Sequence, residues 1–150
     1  MEAPSRGDFD LRRISAEDVE RMISLWKEAG LPIKPGGRDT VENLRMQLSE
    51  DPDLFIGAFD KGTMIGVIIG SDDGRKGWIN RLAVVPERRR CGVASHLLER
   101  CEAALRERGR QIICTLIEED NDTSEQLFTS KGYKREDEII YYAKRDGEDV

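Results

Sequence analysis

The sequence predicts an α/β fold built on a mixed sheet, and three observations carry that reading. First, the β-rich runs Leu54–Phe59, Met64–Ile69 and Trp78–Val85 follow one another with short turns between them, which reads as an antiparallel meander. Second, the character changes at Pro86. A charged stretch, Glu87–Arg90, precedes Val93, Leu97, Leu98, Cys101 and Leu105 at helical spacing, and Gly109 ends that helix. Third, Ile112–Ile117 is a compact apolar strand. Strand, helix and strand over residues 78–117 form a βαβ unit, whose crossover is long enough for parallel pairing.

The other elements follow in order. Residues 1–9 read as a flexible tail. Asp10–Ile14 is a short first strand. Ser15 is an N-cap, and Asp18 is the acid of an imperfect capping box. Val19, Met22, Ile23 and Trp26 recur at helical spacing, and that helix stops near Gly30 and Pro32. Leu31–Gly37 is a loop by its prolines and paired glycines. A second helix over Arg38–Glu50 buries Val41, Leu44 and Leu48. Asp51–Asp53 turns the chain, Asp60-Lys61-Gly62-Thr63 closes a hairpin, and Asp72-Asp73-Gly74 makes another turn. Asp120 or Asn121 caps a short helix through Lys131, which Gly132 ends. Tyr133–Arg135 and Glu138–Lys144 supply final strands. With no linker, repeat or low-complexity tract, residues 10–146 form a single domain.

Charge excludes some functions. The chain has 150 residues, with 24 Lys and Arg against 30 Asp and Glu, for a net charge of −6. A generic nucleic-acid binder carries the opposite balance. No apolar run is long enough to span a bilayer, and MEAPSRGDFD lacks the apolar stretch of a signal peptide. Cys91, Cys101 and Cys114 are odd in number and lack zinc-site pairing, and His96 is the sole histidine. A reduced, cytoplasmic protein without a metal is expected.

The sharpest local feature is Arg89-Arg90-Cys91-Gly92-Val93-Ala94, directly after the strand ending at Val85. Small residues at 92 and 94 permit close approach to the backbone. Amides at a helix start point outward and carry partial positive charge, which suits a phosphate or pyrophosphate. Arg88, Arg89 and Arg90 add to it, although an arginine-rich helix start is equally a solvated face. Neither a Walker loop nor a dinucleotide-binding fingerprint is present.

On these residues the chain resembles the GNAT superfamily of acetyl-CoA-dependent N-acyltransferases. Leu82–Pro86 followed by Arg89–Ala94 looks like its central motif: Gln or Arg, two residues, Gly, one residue, then Gly or Ala. Arg89, Gly92 and Ala94 match, while Arg90 stands where glycine is frequent. Asn121, Ser124, Phe128, Gly132 and Tyr133 look like a second family segment, and Ala58–Gly66 is similar to a family hairpin. The resemblance implies a mostly antiparallel mixed sheet flanked by helices. Its fourth and fifth strands, Trp78–Val85 and Ile112–Ile117, splay to admit acetyl-CoA. It further implies that Leu82, Ala83 and Val84 meet the pantetheine and that Arg89, Arg90, Cys91, Gly92, Val93, Ala94 and Ser95 wrap the pyrophosphate. Asn121, Ser124 and Phe128 complete the cofactor site. A backbone amide near Val84 would donate to the thioester carbonyl and stabilise the oxyanion.

The implied reaction is direct attack by a neutral amine on the thioester. An alkylammonium titrates at about 10.4 and an α-amine at about 7.7–8.0, so a base is needed, the carboxylate being the usual one. Glu118 and Glu119 follow the fifth strand, and alternation sends them in opposite directions, so one faces the acceptor cleft or both are solvated strand-end acids. On a regular strand Trp78, Asn80 and Leu82 share one face, with Ile79, Arg81 and Ala83 opposite. Asn80 is then either a site residue or the donor of a structural hydrogen bond. Trp26, Trp78 and Tyr141 are candidates for the acceptor wall, or plain packing.

The family's usual tyrosine is replaced by Phe128, which has no proton to give. A thiolate can leave unaided, or Tyr133, Tyr141 or water substitutes, or activity is lost. The expected acceptor is a small amine, an amino-acid derivative or a protein N-terminus. The alternative is an inactive acyl-CoA-binding regulatory protein, and behind it an interaction module without cofactor. Neither nucleic acid nor membrane is an expected partner. A homodimer through sheet edges or the last strands stays open, with Tyr141-Tyr142 as contributors. Cys91 lacks a histidine–carboxylate arrangement and is not read as a nucleophile, and Cys101 and Cys114 read as small core residues.

Overall fold

The computed structural model describes residues 8–150. Of the tail expected at residues 1–9, residues 1–7 lie outside the described residues. Phe9 packs on the core and meets the His96 ring edge-on at 5.4 Å.

Five strands lie side by side in chain order: β1 (Asp10–Arg13), β2 (Phe55–Asp60), β3 (Thr63–Asp72), β4 (Gly77–Val84) and β5 (Ile113–Thr115). The first four pair antiparallel and β4–β5 pair parallel. The β2–β3 hairpin turns through Lys61 and Gly62, both at positive φ, as the right-handed twist of a tight hairpin requires. The helices are α1 (Val19–Glu28), α2 (Val41–Glu50), α3 (Val93–Glu107) and α4 (Asp122–Ser130). A capping contact precedes α1, where the Asp18 carboxylate accepts from both the amide and the hydroxyl of Ser15, at 2.8 and 3.1 Å. Helix α2 starts three residues later than expected, because the Thr40 side chain caps it by accepting from Asn43 N–H at 3.1 Å.

Helix α3 crosses one face of the sheet. Its Val93, Leu97, Leu98, Cys101 and Leu105 are buried, as the helical spacing predicts. It lies unusually near the strands, since a Cβ at Gly66, Gly70 or Gly77 would come within 2.9 Å of Val93, Cys101 or Leu105 respectively. Burial pushes the Cys101 thiol up to about 12, so it stays protonated. Helix α1 covers the other face, burying Val19, Met22, Leu25 and Trp26.

The chain's end departs from expectation. Neither Tyr133–Arg135 nor Glu138–Lys144 forms a strand. Tyr133 N–H instead closes the end of α4 on the Phe128 carbonyl at 3.0 Å. A turn follows, with Ile139 N–H on the Glu136 carbonyl at 3.2 Å. Ile139–Tyr142 have strong β propensity, but they lie exposed with no ladder partner among the described residues, and propensity without pairing makes no strand.

Candidate active site

The site begins with one extra residue. β3 pairs with β4 as Ile69↔Arg81 and Gly70↔Ile79, so Asn80 opposes nothing and forms a bulge. Trp78 pairs with Ser71 and Leu82 with Ile68. Those β3 partners are three apart, hence on opposite faces. The regular alternation expected for Trp78, Asn80 and Leu82 is therefore broken: Trp78 and Arg81 share the α1 face, while Ile79 and Leu82 face α3. Asn80 itself is exposed, and its amide donates to Ser71 Oγ at 2.9 Å.

Beyond the bulge the sheet opens. β5 pairs with β4 only at Gly77↔Ile113, Trp78↔Cys114 and Ile79↔Thr115, and Thr115 Oγ1 donates to the Ile79 carbonyl at 3.0 Å. From Asn80 to Val84 no strand among the described residues lies on that side. Val85 N–H bonds to the Ile65 carbonyl on β3 at 2.9 Å, so alternation turns the backbone groups of Leu82 and Val84 toward the gap. A cavity of about 270 Å³ occupies it. Its walls come from both faces of the sheet: Leu31, Pro32 and Arg81 on the α1 side, Leu82, Asn121, Ser124 and Phe128 on the α3 side. Thr115–Glu118 form the β5 wall. A wider depression on α4, lined by Asp122, Glu125, Gln126, Thr129 and Ser130, is the open outer surface of one helix and meets no strand edge.

Of the residues singled out from sequence, Asn80, Leu82, Glu118, Asn121, Ser124 and Phe128 line this cavity together. Ala83 and Val84 continue the same strand and are buried. Glu119 is exposed and outside the lining. Asn121 caps α4, its side-chain oxygen accepting from Ser124 N–H at 3.2 Å. Phe128 is buried and meets Tyr133 edge-on at 5.0 Å. The Tyr133 hydroxyl donates to Glu102 at 2.6 Å, and burial and that carboxylate both push its pKa up. That proton is held on α3, away from the cavity.

The loop after β4 places Arg89–Ser95 at the start of α3. Arg90 and Gly92 both take positive φ, +66° and +84°. Gly92 is the N-cap of α3, so the amides of Val93, Ala94 and Ser95 start the helix with no partner inside it. The arginines divide. Arg88 pairs with Asp60 at 2.7 Å, and Arg89 donates to the Ala29 carbonyl at the end of α1 at 3.1 Å. Arg90 is exposed. Cys91 is half-buried, its Sγ 3.7 Å from the Arg89 carbonyl, and His96 is exposed with Nδ1 2.7 Å from the Gly92 carbonyl.

The three aromatic candidates do not form one wall. Trp26 is fully buried, with the Arg81 guanidinium 4.5 Å over its ring. Trp78 turns to the opposite end of β4, where its Nε1 donates to Asp73 at 3.2 Å. That carboxylate also accepts from the Lys76 and Arg75 amides, which hold its pKa down at about 2. Tyr141 is exposed on the C-terminal segment.

Sequence reading missed the pair Arg81 and Asp39. Asp39 is buried, 4% exposed, and ion-pairs with Arg81 Nη2 at 3.2 Å. The only hint in the sequence was a charged residue inside the apolar run of β4. Among the described residues no cluster of three or more His, Cys, Asp or Glu could hold a metal ion, and no helix is long and apolar enough to cross a membrane.

Comparison with known proteins agrees with this geometry. The profile of the Acetyltransferase (GNAT) family matches residues 17–133. An acetyltransferase of Photorhabdus laumondii is 34% identical over 138 residues, covering 91% of this chain and 95% of that protein. One from Sodalis glossinidius is 32% identical over 141 residues, covering 94% and 98%. The fold is also that of the PaiA N-acetyltransferase from Thermoplasma acidophilum in complex with coenzyme A. There the TM-score is 0.76 at 23% identity, covering 87% of this chain and 92% of that one. The aminoglycoside acetyltransferase AAC(6')-Iy, bound to a bisubstrate analogue, gives 0.75 at 20% identity, covering 92% and 99%. A split β4–β5 edge, a glycine-capped helix after it and these matches lead to one conclusion: the chain belongs to the acetyltransferase (GNAT) family and is an acetyl-CoA-dependent acetyltransferase.

Proposed function

We propose that the protein transfers the acetyl group of acetyl-CoA to a primary amine by direct attack, without an acyl-enzyme intermediate. The observation that carries this is the open edge of β4 from Asn80 to Val84, which borders a cavity walled from both faces of the sheet. Such an opening lets donor and acceptor meet from opposite sides of the sheet.

The residues present fit the donor. Leu82 and Val84 offer backbone donors and acceptors that are unpaired among the described residues, the pattern an extended amide chain needs. The Val84 N–H is a preorganised donor for charge growing on a carbonyl oxygen. The free amides at the start of α3, with Arg90 beside them, suit a pyrophosphate. Arg89 contributes by tying the loop to α1 rather than by offering charge. Acetyl-CoA supplies the activated acyl thioester. Glu118 is the carboxylate that lines the cavity, and we assign it the proton of the attacking amine. The Tyr133 hydroxyl is engaged with Glu102, Phe128 has none, and Tyr141 is exposed and outside the cavity lining, so the thiolate leaves without a tyrosine acid.

The acceptor is a small amine, an amino-acid derivative or a peptide N-terminus. A cytoplasmic setting is supported by three free thiols, Cys91, Cys101 and Cys114. A homodimer is supported by the exposed Ile139, Ile140, Tyr141 and Tyr142. Phe128 favours a second reading, a CoA-binding protein without turnover. Release of free thiol from acetyl-CoA over a panel of primary amines decides between them. Amine-dependent release supports the enzyme. Tight binding without release from any amine supports the second reading.

A further inference from the structure

The bulge at Asn80 turns Arg81 to the α1 face, where its side chain is only 15% exposed. One side of its guanidinium lies over the Trp26 ring. Its Nη2 meets Asp39 Oδ2, and that same oxygen accepts the Lys34 N–H at 2.7 Å. Asp39 is thus fixed by the loop between α1 and α2, and it fixes Arg81 in turn.

A guanidinium has five N–H donors. Asp39 engages Nη2, and the aromatic face takes none. Among the described residues nothing accepts a hydrogen bond from Nη1 or Nε, and neither atom is a sealed-off orphan. Arg81 lines the cavity, so these donors are offered to what enters it. Arg–carboxylate pairs are frequently bidentate, whereas Asp39 meets Arg81 here through one nitrogen and one oxygen.

The local charge points the same way. Burial lowers the pKa of Arg81, Asp39 opposes that, and the nearby Arg38 reinforces it. Arg38 thus acts on Arg81 as a second cation, against the one carboxylate of Asp39. An anionic group arriving at Arg81 would relieve both the repulsion and the lost hydration. Glu118, on the β5 wall of the same cavity, is placed to take the proton of an amine.

Resting on the acetyltransferase reading above, we infer that Arg81 is a specificity-determining residue that binds a carboxylate of the acceptor. The acceptor is then an amino-carboxylate compound. Its amine is presented to the thioester and Glu118, and its carboxylate forms a fork with the free donors of Arg81. Asp39 is a positioning residue that acts through Arg81. The carboxylate is either the α-carboxylate of a free amino acid or the side chain of an acidic N-terminal residue.

The test measures kcat/KM at saturating acetyl-CoA for free amino acids against their α-carboxamides. Tetrapeptide amides beginning with Asp or Glu are compared with those beginning with Asn or Gln. Calorimetry on the CoA-loaded protein covers carboxylates that bind without turnover. The wild type should favour carboxylate over carboxamide by roughly 30-fold or more in one of the two series, which also identifies the carboxylate's source. Arg81→Gln should bring that ratio to about 1, Arg81→Lys should leave an intermediate ratio, and Asp39→Asn should reduce it while raising KM more than it lowers kcat. Acetyl-CoA affinity, measured on each variant, should hold within about threefold and so report the fold and donor site. Retention of the ratio in Arg81→Gln would overturn the inference. So would a wild type that prefers carboxamides, or one that binds acetyl-CoA but neither binds nor acetylates any carboxylate. Failure of the wild type to bind acetyl-CoA would instead remove the acetyltransferase reading beneath it.

Discussion

Thr115 donates its hydroxyl to the Ile79 carbonyl at 3.0 Å, and this bond lies where β5 parts from β4. It bonds one side chain to one strand backbone, and beyond it the Leu82 and Val84 backbones are open. Thr115→Val keeps the shape and removes the donor. It should cost about 1 kcal/mol, which lowers the melting temperature by about 2–4 °C. If the bond also sets the width of the gap, acetyl-CoA affinity should fall by roughly fivefold, the same energy read by calorimetry.

Glu118 and Glu119 adjoin in sequence and part in space, only the first lining the cavity. Glu118→Gln removes the base while keeping size. It should lower kcat/KM by roughly 100-fold, whereas Glu119→Gln should stay within about threefold. Equal effects of the two substitutions in steady-state assays would sink the assignment of the base.

Tyr133 tempts as a replacement acid because Phe128 has no hydroxyl. Its proton, however, is held by Glu102 at 2.6 Å. Tyr133→Phe should therefore leave kcat within about twofold while costing about 1–2 kcal/mol of stability, since a half-buried charge-assisted bond is lost. A kcat loss above tenfold, measured where the variant is folded, would return Tyr133 to the mechanism.

Arg108 holds the far end of the sheet together, pairing with Asp51, Asp53 and Asp72 at 3.0, 2.5 and 3.4 Å. The Arg108 bond holds the Asp53 pKa below its ordinary value. The Gly74 amide, then Arg110 and Arg108, do the same for Asp72. A depressed carboxylate contributes stability above its unfolded pKa and loses it as pH falls through the folded value. Arg108→Ala should cost about 2 kcal/mol at neutral pH, between the worth of a surface pair and that of a buried one. The gap between wild type and variant in urea melts should shrink below pH of about 4, where the carboxylates protonate.

The sequence carried the strands, the α3 stripe and the Gly92 loop, because side-chain periodicity and glycine punctuation mark them directly. It could not show the bulge. One extra residue at Asn80 leaves no trace in composition, yet it reverses the facing of Trp78 relative to Leu82 and sends Arg81 to α1. Asp39 falls in the first turn of the helix expected over Arg38–Glu50, where an acid reads as a solvated helix-start charge, but the helix starts at Val41 and the fold buries Asp39. The Tyr133–Lys144 region shows the opposite failure. Strong local β propensity promised strands that need a neighbour, and Tyr133 is instead spent on ending α4.

On the proposed reading, the loop after β4 receives the pyrophosphate of acetyl-CoA at the start of α3. Calorimetry of acetyl-CoA binding to wild type, Gly92→Ala and Gly92→Glu tests it most directly. At φ +84° any side chain at 92 is strained, but a Cβ has room, its nearest neighbours being His96 ring atoms at 3.6 Å. Gly92→Ala should thus cost about 1 kcal/mol of stability and little affinity. Gly92→Glu adds negative charge where the pyrophosphate is proposed to bind, and affinity should fall by roughly 100-fold or more from a micromolar wild-type value. Equal affinity in a folded Gly92→Glu variant, or no binding by wild type, would contradict the account.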